Sequence, residues 1–131
     1  MKYFTFEELS RSETAKCHNI DNTPSEAAKS NLAALVDNVL DPLREAWGKP
    51  ITVNSGYRCP ALNKAVGGVA TSQHMTGQAA DITTGNKVDN ARLFQLAIDL
   101  KLPFDQIIDE HGFSWVHISY SPRHRRQILK L

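Results

Sequence analysis

The clearest pattern along the chain is a run of apolar residues at helical spacing. Leu32, Leu35, Val36, Val39, Leu40, Leu43 and Trp47 fall on one face of a helix, and that face should be buried. Thr23 reads as its N-cap, Pro24 suits its first position, and Glu26 completes a capping box. Pro42 should kink this helix or break it in two, because proline lacks an N–H and crowds the preceding turn. Gly48 and Pro50 close it. Before it, Thr5 to Ser12 reads as a short helix and Lys16 to Asn22 as a polar loop. After it, Ile51 to Asn54 reads as a short strand, Pro60 to Val66 as a helical turn ended by Gly67-Gly68, and Gln78 to Thr83 as a second strand. Val88 to Leu100 repeats the helical pattern, with Leu93, Leu96, Ala97 and Leu100 on one face. Asp105 to Glu110 and Ser114 to Tyr120 alternate like strands around His111-Gly112-Phe113, which predicts a hairpin, and Arg123 to Leu131 can add an edge strand. Helices and strands do not alternate regularly. The expected class is therefore α+β, with a small, mostly antiparallel sheet flanked by helices.

Length and composition narrow the possibilities. At 131 residues the chain has the size of a single domain and can build its own core. A net charge of +1 exerts no global pull toward nucleic acid or membrane, and no apolar run reaches the length of a membrane span. Neither a phosphate-binding loop nor a helix-turn-helix signal is present. Neither nucleic acid nor membrane is therefore expected as a partner, and the chain is expected to be monomeric. Cys17 and Cys59 lie far apart without CxxC spacing and read as reduced thiols. The basic run Arg123-His124-Arg125-Arg126, with Lys130, reads as a solvated face.

Candidate chemistry rests on histidine and aspartate. His18 and His124 sit in polar or basic surroundings and His111 at the hairpin turn, so all three read as ordinary surface histidines. His74 and Asp81 differ. They occupy Thr71-Ser72-Gln73-His74-Met75-Thr76-Gly77-Gln78-Ala79-Ala80-Asp81-Ile82, which has too little apolar content before Ala79 to be a core helix. A loop turning back at Gly77 can bring His74 and the strand residue Asp81 to one point. His117, flanked by apolar residues in Trp115-Val116-His117-Ile118-Ser119, is anchored on another strand. Two imidazoles and one carboxylate suit Zn²⁺ with a fourth position left for water, the arrangement of catalytic rather than structural zinc. On spacing alone, a reading in which both histidines merely support the fold stands equally.

Three motifs go further. Ser55-Gly56-Tyr57-Arg58, the block Ser72 to Ile82, and Trp115-Val116-His117-Ile118-Ser119 resemble the zinc D-alanyl-D-alanine carboxypeptidase family. That group includes vancomycin-resistance D,D-dipeptidases and phage L-alanyl-D-glutamate endolysins, and its fold is shared with the zinc domain of hedgehog signalling proteins. Phe4 to Glu8, Asn22-Thr23-Pro24 and Asn63 to Gly68 are similar to its small bacterial and phage branch, so the resemblance spans nearly all of residues 1–131 as one zinc peptidase domain. It implies that His74, Asp81 and His117 bind zinc. It implies that Arg58 steadies the scissile carbonyl or a substrate carboxylate, that Ser72 lines the substrate pocket, and that the substrate is peptidoglycan peptide. An alternative for Ser72 is a hydroxyl that holds its own loop. Acids at the N-terminus, Glu7 and Glu8, stand where a signal peptide would be apolar. The chain is thus expected in the cytoplasm, unless a phage-type release route carries it to the wall.

One position departs from the family pattern. Many members carry the general base three residues before the last histidine, where this chain has Ser114, and some carry a histidine where it has Trp115. Serine is no base near neutral pH without another base to activate it. Glu110 is the preferred replacement and Asp109 the second, both on the opposite arm of the hairpin, where the turn register decides which faces the site. The missing acid also keeps open a non-catalytic zinc module that binds wall peptide. A structural domain of a phage particle is a further alternative.

Overall fold

The computed structural model describes residues 1–131. Two short helices open the chain, α1 (Phe6–Ser10) and α2 (Glu13–Cys17). Thr5 Oγ1 accepts the Glu8 N–H and Ser12 Oγ accepts the Ala15 N–H, so each helix has its own hydroxyl cap. The helix expected to run on to Ser12 therefore stops at Ser10, and Ser12 caps a second helix that extends into the first residues of the expected Lys16 to Asn22 loop. The long helical segment begins with α3 (Glu26–Leu35), capped by Ser25 rather than Thr23. Thr23 is diverted: its N–H and hydroxyl both bond the Asp21 carboxylate, which leaves the cap to Ser25.

Pro42 acts as expected, by a specific route. A π turn at Val36–Leu40 separates α3 from α4 (Asp41–Trp47), and the Asp41 N–H reaches back to the Val36 carbonyl, five residues away. The extra residue in that turn lets the chain pass a proline that has no N–H to give. Leu32, Leu35, Val36, Val39, Leu40 and Leu43 are all fully buried along this segment, while Trp47 packs only partly against the core.

Five strands form one sheet: β1 (Thr52–Ser55), β2 (Ala79–Thr83), β3 (Gln106–Glu110), β4 (Trp115–Ser119) and β5 (Gln127–Lys130). Their order is β1-β2-β4-β3-β5, antiparallel throughout except that β5 runs parallel to β3. Helix α5 (Pro60–Ala65) and a 3₁₀ turn (Gln73–Thr76) occupy the β1–β2 connection, and α6 (Lys87–Asp99) links β2 to β3. Helix α6 packs on α4 and on strands β3 and β4. The protein is thus α+β with a mostly antiparallel sheet, and no helix is long and apolar enough to cross a membrane.

Side-chain alternation gives the sheet two distinct faces. Ala80 and Ile82 of β2, Ile107 of β3, and Val116 and Ile118 of β4 enter the 22-residue core that the helices cover. Asp81, Ile108, Glu110, Trp115 and His117 fall on the opposite face. The candidate site lies on that second face.

Candidate metal centre

Strand pairing places the first two groups. Asp81 on β2 is the direct partner of His117 on β4, so both side chains leave the same face side by side. His74 comes from the 3₁₀ turn before β2. That turn ends at Gly77, whose φ of +77° suits glycine, and a Cβ there would lie 2.5 Å from the Ala28 carbonyl oxygen. The turn therefore sits directly on α3, where Asn31 Nδ2 also donates to the Thr76 carbonyl at 2.8 Å. Gly56 is required for a related reason: the Leu9 carbonyl occupies the space a side chain would need, and it accepts the Tyr57 N–H at 2.7 Å.

The three side chains meet. Asp81 Oδ1 lies 3.0 Å from His117 Nδ1 and 3.4 Å from His74 Nε2, and one donor atom from each residue falls within 4.8 Å of the others. Ligand atoms about 2.0–2.2 Å from a common zinc in tetrahedral array lie roughly 3.3 Å apart, close to the 3.0 Å and 3.4 Å that separate Asp81 Oδ1 from the two imidazoles. The donor chemistry fits as well. His74 Nδ1 is 2.7 Å from the Gly56 carbonyl oxygen, so it carries the proton and leaves the Nε2 lone pair for a metal. Burial by itself would raise the Asp81 pKa. The adjoining His117 and His74 imidazoles outweigh it and hold the carboxyl far below its ordinary range. An ionised carboxylate and two imidazoles on a rigid floor are what a divalent cation of zinc type requires.

Around this floor runs a groove of about 550 Å³ lined by Arg58, Ser72, Glu110 and Trp115, among others. Arg58 is held by its own backbone. Its N–H donates to the His74 carbonyl at 3.0 Å, and Asn22 clasps both neighbours, donating to the Tyr57 carbonyl at 3.0 Å and accepting the Cys59 N–H at 2.8 Å. Burial lowers the Arg58 pKa, and the nearby Asp81 opposes that shift. The Arg58 Nε is buried with no protein partner, an orphan donor beside the candidate metal position. Ser72 Oγ accepts the His74 N–H at 3.2 Å, so it holds its loop as well as lining the groove. It also accepts from Arg58 Nη2 at 3.4 Å.

The two acids of the hairpin part company. Glu110 pairs with Trp115 and shares the groove face with His117, which pairs with Ile108. Asp109 points the other way, into the core side, where it is buried and accepts the Phe113 N–H at 2.6 Å. Outside the cluster, His111 stacks on Trp115 and His124 on Tyr120, each at 5.1 Å between ring centroids, and both cysteines are free.

Sequence reasoning missed several groove residues. Gln73, Arg123 and Arg125 also line it, and all three bond Asp105, which is fully buried. The basic run is exposed as expected, yet two of its arginines are committed to one carboxylate. Nothing in residue order signals this, because Asp105 lies 18 and 20 residues from its arginines.

A model of the family described as Peptidase M15 matches residues 2–119. The zinc D-Ala-D-Ala carboxypeptidase of Streptomyces albus G is 40% identical over 86 residues, 64% of this chain. The matched stretch spans about a third of that protein's length, 32%.

Proposed function

Because the chain belongs to the peptidase M15 family, we propose that it hydrolyses peptide bonds in the stem peptides of peptidoglycan, as a D-alanyl-D-alanine carboxypeptidase-like enzyme. Its cofactor is zinc. The observation that carries the reading is the convergence of His74, Asp81 and His117 at the floor of a groove also lined by the Arg58 guanidinium and the Glu110 carboxylate.

In this reading His74 Nε2, Asp81 Oδ1 and His117 Nδ1 would hold the ion. A zinc ion held there supplies Lewis acidity, acidifying water and polarising a carbonyl. Glu110 takes a proton from the attacking water and delivers it to the leaving amine. Its place on β3, across from Trp115, gives the strand pair the base that Ser114 cannot provide. Arg58 lines the groove with a guanidinium that has one side-chain hydrogen bond, to Ser72, and serves the negative charge that develops on the carbonyl oxygen or a carboxylate of the substrate. Ser72 shapes the pocket wall and keeps the His74 turn in place. An acid on the groove face favours this enzyme over a module that only binds wall peptide.

Mass spectrometry of purified peptidoglycan fragments, incubated with the protein with and without a zinc chelator, tests the reading. New peptide termini should appear, and only without chelator. Unchanged fragments with a zinc-loaded protein would refute hydrolysis. The masses also identify the bond, separating carboxypeptidase action from L-alanyl-D-glutamate endopeptidase action.

A further inference from the structure

One wall of the groove is built on a buried carboxylate. Asp105 has no exposed surface, and its two oxygens receive five hydrogen bonds. Oδ1 accepts from the Arg125 backbone N–H at 3.1 Å and from Arg125 Nε at 3.0 Å. Oδ2 accepts from Arg125 Nη2 at 2.9 Å, Arg123 Nη2 at 3.0 Å and Gln73 Nε2 at 3.0 Å. One carboxylate thus faces two guanidiniums, and one positive charge is left over.

That surplus belongs to Arg123. Arg125 binds Asp105 through three donors and so fastens the C-terminal loop. Backbone bonds from Arg126 to the Phe104 carbonyl and from Gln127 to the Asp105 carbonyl fasten it again. Arg123 adds a single contact and keeps its side chain 58% exposed. A guanidinium has five N–H donors, so most of those on Arg123 remain free, and the residue lines the groove. Gln73 immediately precedes His74, so the carboxylate that positions Arg123 also braces the turn that carries a candidate metal ligand. Asp105 thus ties the base of this cation to the turn that carries His74, while the exposed guanidinium stays free to meet a ligand.

We propose that Arg123, backed by Arg125 and Asp105, forms an anion subsite of the groove that binds a carboxylate of the substrate peptide away from the scissile bond. Arg58 serves the reacting end and Arg123 reads a second acidic group, so the groove selects peptides bearing an internal free carboxylate over the corresponding amides. This rests on the peptidase reading for the identity of the substrate, but not for the existence of the subsite.

The test uses a synthetic stem peptide with its internal carboxylates free and the same peptide with them amidated, the terminal carboxylate being free in both. Each is titrated onto zinc-loaded protein carrying Glu110→Gln to suppress turnover, with tryptophan emission as the signal, since Trp115 lines the groove. The free-acid peptide should bind about tenfold more tightly, the scale of one partly exposed charge-assisted contact, and salt should narrow the gap. Adding Arg123→Gln should abolish the preference and leave binding of the amide unchanged, while Arg123→Lys should restore part of it. Equal binding of the two peptides, or a preference that survives Arg123→Gln, would overturn the subsite. Hydrolysis of the free-acid peptide by the unmodified chain is scored separately. Its absence alongside carboxylate-dependent binding strikes the enzymatic reading and leaves the subsite standing.

Discussion

Asp81 Oδ1 sits between two imidazole nitrogens, at 3.0 Å and 3.4 Å, and this one atom organises the centre. Removing either imidazole leaves two protein donors, too few for a stable zinc site. His74→Ala or His117→Ala should therefore abolish stoichiometric zinc, measured by elemental analysis after dialysis. Arg58 works differently, because its contact with His74 is through the backbone and its side chain supplies no donor to the metal. Arg58→Ala should keep its zinc and lose roughly 10²–10³ in turnover, the usual effect of deleting one donor to a developing oxyanion. The two hairpin acids can be separated by the same pair of measurements. Glu110→Gln should retain metal and lose hydrolysis, whereas Asp109→Asn should act chiefly on stability, since its carboxylate is spent on the Phe113 N–H. Full hydrolysis by Glu110→Gln would remove that residue from the mechanism. Residue type and spacing made His74, Asp81 and His117 candidates, and the family resemblance of their motifs singled them out as the zinc ligands. Neither could choose between Asp109 and Glu110, which differ by one position and hence by the face of the sheet.

At the level of elements, each tight approach near the site is made by a turn that needs glycine or an unusual backbone. Gly77 is the clearest. Alanine there would combine a left-handed φ of +77° with a Cβ 2.5 Å from the Ala28 carbonyl oxygen. Gly77→Ala should therefore cost more than about 1 kcal/mol in thermal unfolding and should loosen zinc through the displaced His74 turn. A melting curve matching the parent would show that the turn is less constrained than its geometry implies. The β3–β4 hairpin carries comparable strain, with His111, Gly112 and Phe113 all at positive φ, +49°, +63° and +64°. Asp109 holds it from one side, and Asn90 from the other, donating to the Phe113 carbonyl at 2.9 Å. The apolar periodicities of α3, α4 and α6 were legible because burial on one helical face leaves a direct imprint on residue order. The cap at Ser25 was not, since Thr23 is an equally good cap by type and loses the role only through its bonds to Asp21.

On the scale of the whole molecule, Asp105 joins three distant pieces: the start of β3, the Gln73–Thr76 turn and the C-terminal loop. Hydrogen bonding by Arg125 is the largest influence on its carboxyl and, against the opposing effect of burial, holds its pKa well below the ordinary 3.8. A folded-state pKa below the unfolded one means that the carboxylate stabilises the fold fully above about pH 4 and that this contribution fades as pH falls further. Asp105→Asn should thus lower stability at neutral pH and flatten the acid limb of the stability curve, read from denaturant midpoints between pH 2 and 7. An unchanged acid limb would show that other carboxyls dominate acid unfolding. The parallel pairing of β5 with β3, which brings Arg123 and Arg125 alongside the groove, could not have been read from a short C-terminal run of mixed polarity.

The sequence by itself determined the long helices and the strands, though not α2, that the class is α+β, and which residues are able to bind zinc, because side-chain periodicity and donor chemistry are properties of the chain. Only the tertiary structure decided that Glu110 rather than Asp109 faces the groove, that the buried Arg58 Nε is left without a partner, and that Asp105 gathers Gln73, Arg123 and Arg125. Each of these depends on register and on contacts between residues far apart in order, and such contacts are set by packing the whole sheet against its helices rather than by any local preference of the backbone.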